Sequence, residues 1–166
     1  MKHETGPAPA TADPPAAHAR LGEIGLNNFA PYLMNRIMGR YNASLRDEMA
    51  ALGLSTPKMR ALAVLSVIDG ILIRQLAVYA VVEQSTLSRA LEQMNADGLI
   101  RREPDPDDNR ATRLYLTDTG RAAFETMWPH MAESYARMFA GIPDDERRAF
   151  VATLQKMLAN IRKHDF

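Results

Sequence analysis

The chain has 166 residues, 46% hydrophobic and 24% charged, which fits one globular domain with or without an extension. It has no cysteine, which excludes disulfides, thiol nucleophiles, thiolate metal sites and cysteine redox sensing together. Net charge is zero, which runs against nucleic-acid binding, but 16 of the 20 basic residues are Arg, the side chain suited to phosphate and guanine.

The elements follow in chain order. Residues 1–27 are expected to form a disordered Pro/Ala-rich arm, since Pro7, Pro9, Pro14 and Pro15 forbid regular helix there. This N-terminus lacks the apolar stretch of a signal peptide, and apolar runs such as 60–65 and 76–82 are too short to span a bilayer. A cytoplasmic protein is therefore expected. Over 28–52, Phe29, Leu33, Ile37, Tyr41, Leu45 and Leu52 share a helical face. Asn28 is its N-cap, Pro31 is tolerated in its first turn and Gly53 stops it. Ser55 or Thr56 caps a second helix running to about residue 68, before the Asp69-Gly70 turn. A short helix over 73–80 precedes another that starts at 83–85 and ends before Gly98.

Residues 99–103 and 111–117 read as two strands, joined by an Asp/Pro/Asn loop. Thr117 caps a long helix with Gly120 in its first turn, in which Pro129 predicts a kink. Its stripe is Phe124, Trp128, Met131, Tyr135 and Met138. The last helix starts at Pro143, with Asp144, Asp145 and Glu146 in the first turn, and carries Phe150, Leu154, Met157 and Ile161. These narrow apolar seams pack either on the first helix of the same chain or on a second copy. Their position at both chain ends favours a homodimer.

The informative stretch is 76–117: helix, tight turn, helix, two-stranded wing. Leu87, Ala90, Leu91 and Met94 form a buried side opposite Ser85, Ser88, Arg89 and Glu92. A helix that enters the major groove needs this arrangement, although any solvated amphipathic helix carries it too. The candidate DNA-binding residues are Gln84, Ser85, Thr86, Ser88, Arg89, Arg110 and Arg113.

Several motifs in fixed order add to this reading. Ser85-Thr86-Leu87-Ser88-Arg89 is followed by Gly98-Leu99-Ile100 and Arg102. Asp105-Pro106-x-Asp108-x-Arg110 precedes Leu116-Thr117-x-x-Gly120. Together they resemble the recognition helix and wing of the MarR (multiple antibiotic resistance regulator) family, and the likeness extends over about 28–163. The resemblance implies a mainly α fold with a small two-stranded β wing. A winged helix-turn-helix reading module (about 55–117) would be flanked by N- and C-terminal dimerisation helices (about 28–52 and 118–164), all within one domain over 28–166. It also implies that Arg110 is the wing-tip arginine entering the minor groove and that Asp108 steadies that loop. Two features depart from the pattern. Val81 stands where the turn often has glycine, and a β-branched residue resists positive φ, so the turn is expected to differ from the common form. Glu83 places an acid beside the reading face.

The implied function is a sequence-specific DNA-binding transcription regulator. It would be a repressor, homodimeric on a pseudo-palindromic operator of double-stranded DNA and released by a small aromatic or lipophilic effector. The methionines and aromatics on the long helices either pack as plain core or line an adaptable cavity. The resemblance supports a pocket of Tyr32, Arg36, Met38, Arg40, Met59, Trp128 and Met131, with Arg36 and Arg40 as cations for an anionic effector. The alternative is a winged-helix protein-interaction module without DNA binding, which the neutral charge and Val81 keep open. Asp105-x-Asp107-x-Asn109 half-matches a calcium loop but lacks its glycine and closing glutamate. With neither a phosphate loop nor a serine elbow, no enzyme activity, catalytic residue, cofactor or metal is expected.

Overall fold

A computed structural model of the chain describes residues 19–164. The chain divides into two compact units, one up to Gly39 and one from Arg40. The proline-rich part of the expected arm, residues 1–18, lies outside the described residues.

In the first unit, α1 (Leu21–Ile24) and a 3-10 turn (Leu26–Asn28) precede the first turns of α2 (Ala30–Ala51). The last residues of the arm expected over 1–27 are thus helical. Past Pro15 nothing blocks a helical turn, the Glu23 carboxylate accepts the Arg20 amide at 3.1 Å, and Gly25 ends the turn at φ +77°. Asn28 does not cap α2. Its side chain donates backward to the Ile24 carbonyl at 3.0 Å, and the Phe29 carbonyl takes the first amides of α2.

In the second unit, α2 continues to Ala51 and is closed by Gly53 at φ +71°. Then come α3 (Thr56–Leu65), β1 (Ile71–Leu72), α4 (Ile73–Tyr79), α5 (Gln84–Ala96), β2 (Ile100–Pro104), β3 (Thr112–Leu116), α6 (Asp118–Met138) and α7 (Asp144–Ile161). The sheet is antiparallel in the order β1-β3-β2, so the two-stranded wing gains a short third strand. Ile71 pairs with Leu114 and Leu72 with Arg113. The strand forms because the Asp69-Gly70 turn is itself bonded to β3: Gly70 donates to the Leu114 carbonyl at 2.9 Å, and Asp69 accepts the Leu116 amide at 2.9 Å.

One core holds this unit together: Leu45 and Met49 of α2, Leu62 and Leu65 of α3, Leu76 of α4, Leu87, Leu91 and Met94 of α5, Leu114 of β3 and Met127 of α6. The buried side expected of α5 is the side observed. Beside the stripe read on α6 for a partner, this helix buries a side of its own within the chain. Its buried residues are Gly120, Met127 and Ser134, flanked by the half-buried Phe124 and Met131, while Trp128 is 52% exposed. Gly120 fixes this orientation. A Cβ there would collide with the Leu99 carbonyl, so only glycine lets α6 start so close to the end of α5. Thr117 caps α6 as expected, accepting the Gly120 amide at 3.0 Å and donating to the Gly98 carbonyl at 2.6 Å. The helix continues through Pro129 to Met138. Among the described residues no helix is long and apolar enough to cross a membrane.

Candidate nucleic-acid interface

The turn into α5 carries the sharpest local conformation. After α4 the chain closes with Val81 donating to the Val78 carbonyl at 3.2 Å and Val82 to the Ala77 carbonyl at 3.1 Å. That is the helix-closing pattern that normally puts glycine in the left-handed position. Here Val81 itself takes it, at φ +51°, the single non-glycine residue with positive φ among those described. The expectation that valine forces a different turn is thus corrected: the common turn forms and the valine bears the strain. The residue is 77% exposed, so its own packing does little to repay the cost. Val82 and Ala77 pack on the core instead, and Arg60 Nη1 donates to the Val81 carbonyl at 2.9 Å.

Glu83 is the N-cap residue of α5, and its carboxylate accepts the hydroxyls of Ser85 and Thr86. The Ser85 hydroxyl, chiefly, holds this carboxyl below the usual glutamate range. The acid beside the reading face thus engages two of the expected reading hydroxyls. Ser88 donates back to the Gln84 carbonyl at 2.9 Å. The exposed side chains of Gln84 and Arg89 make no hydrogen bond with the described residues and stand ready for a partner.

At the wing, sequence reasoning missed the main anchor. Asp105 is 4% exposed, and one of its oxygens accepts the amides of Asp107 and Asp108 at 2.8 and 2.9 Å. The other oxygen faces Arg113 Nε at 2.6 Å. The Asp107 amide first, with the Asp108 amide and the Arg113 charge, lowers this carboxyl below the usual aspartate range. The Asp-Pro-x-Asp run is a recognisable turn signal that could have pointed to it. Arg113, expected among the DNA contacts, is instead turned into the wing, where Nη1 also donates to the Gly70 carbonyl at 2.8 Å. It fastens the wing to the turn before β1. Arg110 is the opposite case. Its side chain is 93% exposed at the loop tip, and Asp108 accepts from its amide at 3.0 Å and from Nε at 3.3 Å. Asp108 steadies the arginine as the resemblance implied, leaving most of the guanidinium free.

The residues expected to line an effector pocket fall in both units. Tyr32, Arg36 and Met38 belong to the first unit, where Arg36 donates to the Tyr32 hydroxyl at 3.1 Å. In the second unit Arg40 and Trp128 are exposed, and Met131 is half-buried against the core. Met59 lines a cavity of about 250 Å³ between the end of α2 and the start of α3. Its wall combines Leu45, Met49 and Leu54 with Asn42, Arg46 and Thr56. Apolar walls with a cation and three hydrogen-bonding groups, Ser55 being the third, suit a small anionic or polar aromatic molecule. No cluster of three or more metal-ligating side chains occurs among the described residues.

The MarR family model matches residues 52–111, the stretch that holds α3, α4, α5 and the wing loop. The HTH-type transcriptional repressor IacR of Pseudomonas putida is 28% identical over 82% of this chain and 79% of its own. The structure of BpsR from Bordetella bronchiseptica, solved to explain how 6-hydroxynicotinic acid regulates its DNA binding, is 26% identical, with a TM-score of 0.67 over 77% of this chain and 97% of its own. A solved MarR family transcriptional regulator from Silicibacter pomeroyi is 64% identical, with a TM-score of 0.85 over 89% of this chain and 100% of its own. With the motifs, the winged helix and these likenesses in agreement, the chain belongs to the MarR family of transcription regulators.

Proposed function

We propose that the chain is a cytoplasmic repressor, not an enzyme, that binds a pseudo-palindromic operator as a homodimer and leaves it when a small aromatic acid or other lipophilic effector binds. The observation that carries this reading is the pair of exposed arginines, Arg89 on α5 and Arg110 at the wing tip. One is placed to pair with guanine in the major groove, the other to enter a narrow minor groove. In this reading residues 28–166 act as one domain, with reading done by about 55–117 and dimerisation by about 28–52 and 118–164.

Homodimerisation is supported by α7. No residue of this helix is buried, and Phe150, Met157, Leu158 and Ile161 are exposed along it, Ile161 at 76%. A helix with such a face needs a partner, and a two-fold copy supplies it. Effector response is supported by the cavity beside Met59 and by the regulation of BpsR by 6-hydroxynicotinic acid. A molecule seated there presses on α3, which packs against α5.

Light scattering combined with titration of duplex DNA flanking the chain's own coding sequence tests the proposal. The expected result is a particle of twice the chain mass that binds one of these duplexes with a steep salt dependence and is released by aromatic acids. A monomer, or a particle indifferent to every duplex, would move the chain to the protein-interaction alternative.

A further inference from the structure

Resting on the DNA-binding reading, we infer that Arg60 is a positioning residue for the recognition helix, acting through the strained Val81 turn. The observations lie on three consecutive residues of α3. Lys58 Nζ sits 3.0 Å from Asp97, the C-cap residue of α5. Met59 is buried in the cavity wall. Arg60 donates to the Val81 carbonyl, two residues before the N-cap of α5. One short stretch of α3 thus grips the recognition helix at both ends.

The two grips face different tasks. At the C-terminal end Gly98 takes the left-handed position at φ +70° without a Cβ penalty, and its carbonyl also accepts the Thr117 hydroxyl, so the turn there does not rest on Lys58. At the N-terminal end Val81 pays that penalty, and an exposed side chain returns little for it. A strained turn persists only where its surroundings hold it. Here the hold is the charged hydrogen bond from Arg60, stronger than a neutral one. When it breaks, the valine relaxes toward negative φ, and the direction in which α5 leaves the turn changes. Base contacts need α5 at a fixed angle in the groove, whereas phosphate attraction does not.

The test uses the full-length protein as wild type, Arg60→Met, Arg60→Lys, Val81→Gly, Arg60→Met with Val81→Gly, and Lys58→Met. Amide hydrogen exchange at Val81 and Val82 is read without DNA. Binding is read by anisotropy on an operator duplex and a scrambled duplex. Arg60→Met should speed exchange at these two amides about tenfold and weaken operator binding about tenfold, with scrambled binding within about twofold of wild type. Arg60→Lys should recover part of both losses. Adding Val81→Gly to Arg60→Met should restore protection and bring operator affinity within about threefold of wild type, because glycine holds the turn without help. Lys58→Met should change operator affinity less than about threefold, since the end it releases is closed by Gly98.

Unchanged exchange in Arg60→Met would overturn the inference, and so would failure of Val81→Gly to rescue. Equal weakening on both duplexes with a shallower salt slope would make Arg60 a phosphate contact and also overturn it. An equal loss in Lys58→Met would mean that any loosening of α3 suffices, which again overturns it. If the wild type bound no duplex, the DNA-binding reading would fail, and the exchange measurement would still decide whether Arg60 holds the turn.

Discussion

The two turns that bound the recognition helix close with the same pair of hydrogen bonds, yet they are built from different residues. After α5, Gly98 donates to the Asn95 carbonyl at 3.1 Å and Leu99 to the Met94 carbonyl at 2.9 Å. After α4, Val81 and Val82 repeat that pattern with a valine in the left-handed position. The C-terminal end of α5 relies on missing atoms: Gly98 has no Cβ to strain, and Gly120 has none to strike the Leu99 carbonyl. Both turn carbonyls accept a side chain, Gly98 from Thr117 and Val81 from Arg60, but only the N-terminal turn has a strained φ for that bond to hold. The difference shows that hydrogen-bond topology can be satisfied by a residue that dislikes the required φ, provided a neighbour secures it. It also places the more fragile of the two turns next to the residues proposed to face DNA.

Gly120→Ala should break the comparison most severely. The new methyl group meets backbone at Leu99, which cannot swing aside, so about 3 kcal/mol of stability should be lost. Urea unfolding measures this, and a loss under about 1 kcal/mol would mean that α6 can slide away from Leu99. Gly98→Val comes next. It places at the C-terminal turn what the N-terminal turn already carries, with the neutral Thr117 hydroxyl in place of an arginine on the carbonyl. A loss of about 1–2 kcal/mol is expected. The reverse change, Val81→Gly, should be smaller and of opposite sign, a gain of up to about 1 kcal/mol, because the relief of φ strain is offset by the greater freedom of glycine in the unfolded chain. Calorimetry on the two variants side by side checks both signs.

The smallest effect concerns acid. The wing, unlike either turn, is closed by a carboxylate. Asp105 has its folded-state pKa lowered, so its contribution is fully present above the ordinary aspartate value and is lost only as pH falls through the lowered one. Protection of the Asp107 and Asp108 amides should therefore be flat from neutral pH to about pH 5 and fall only below about pH 4. In Asp105→Asn that acid-dependent step should be absent. A step near pH 6 would point to a different group.

Much of this fold was legible because its elements announce themselves. Caps such as Thr117, stops such as Gly53 and Gly98, and the buried face of Leu87, Leu91 and Met94 are local signals, and the structure repeats them. The misreadings share a cause: a side chain's direction depends on partners distant in sequence. Arg113 reads as an outward cation until Asp105 and the Gly70 carbonyl are brought beside it. Val81 reads as incompatible with the turn because propensity cannot register a bond from Arg60, 21 positions away. Of the cavity's lining only Met59 was legible, because the cavity lies where two helices meet, at residues such as Asn42, Arg46 and Leu54 that have no pattern of their own.

The most direct test of the central claim is a titration of wild type, Arg89→Ala, Arg110→Ala and Arg113→Ala against operator and scrambled duplexes at two salt concentrations. Arg89→Ala should relax base preference at one or two positions in each half-site, a discrimination worth about 1–3 kcal/mol. Arg110→Ala should weaken binding with little change in major-groove preference and flatten the salt slope by about one unit per wing. Arg113→Ala should act through a loosened wing and leave base preference as it was. Wild-type affinity and preference in both Arg89→Ala and Arg110→Ala would contradict the account.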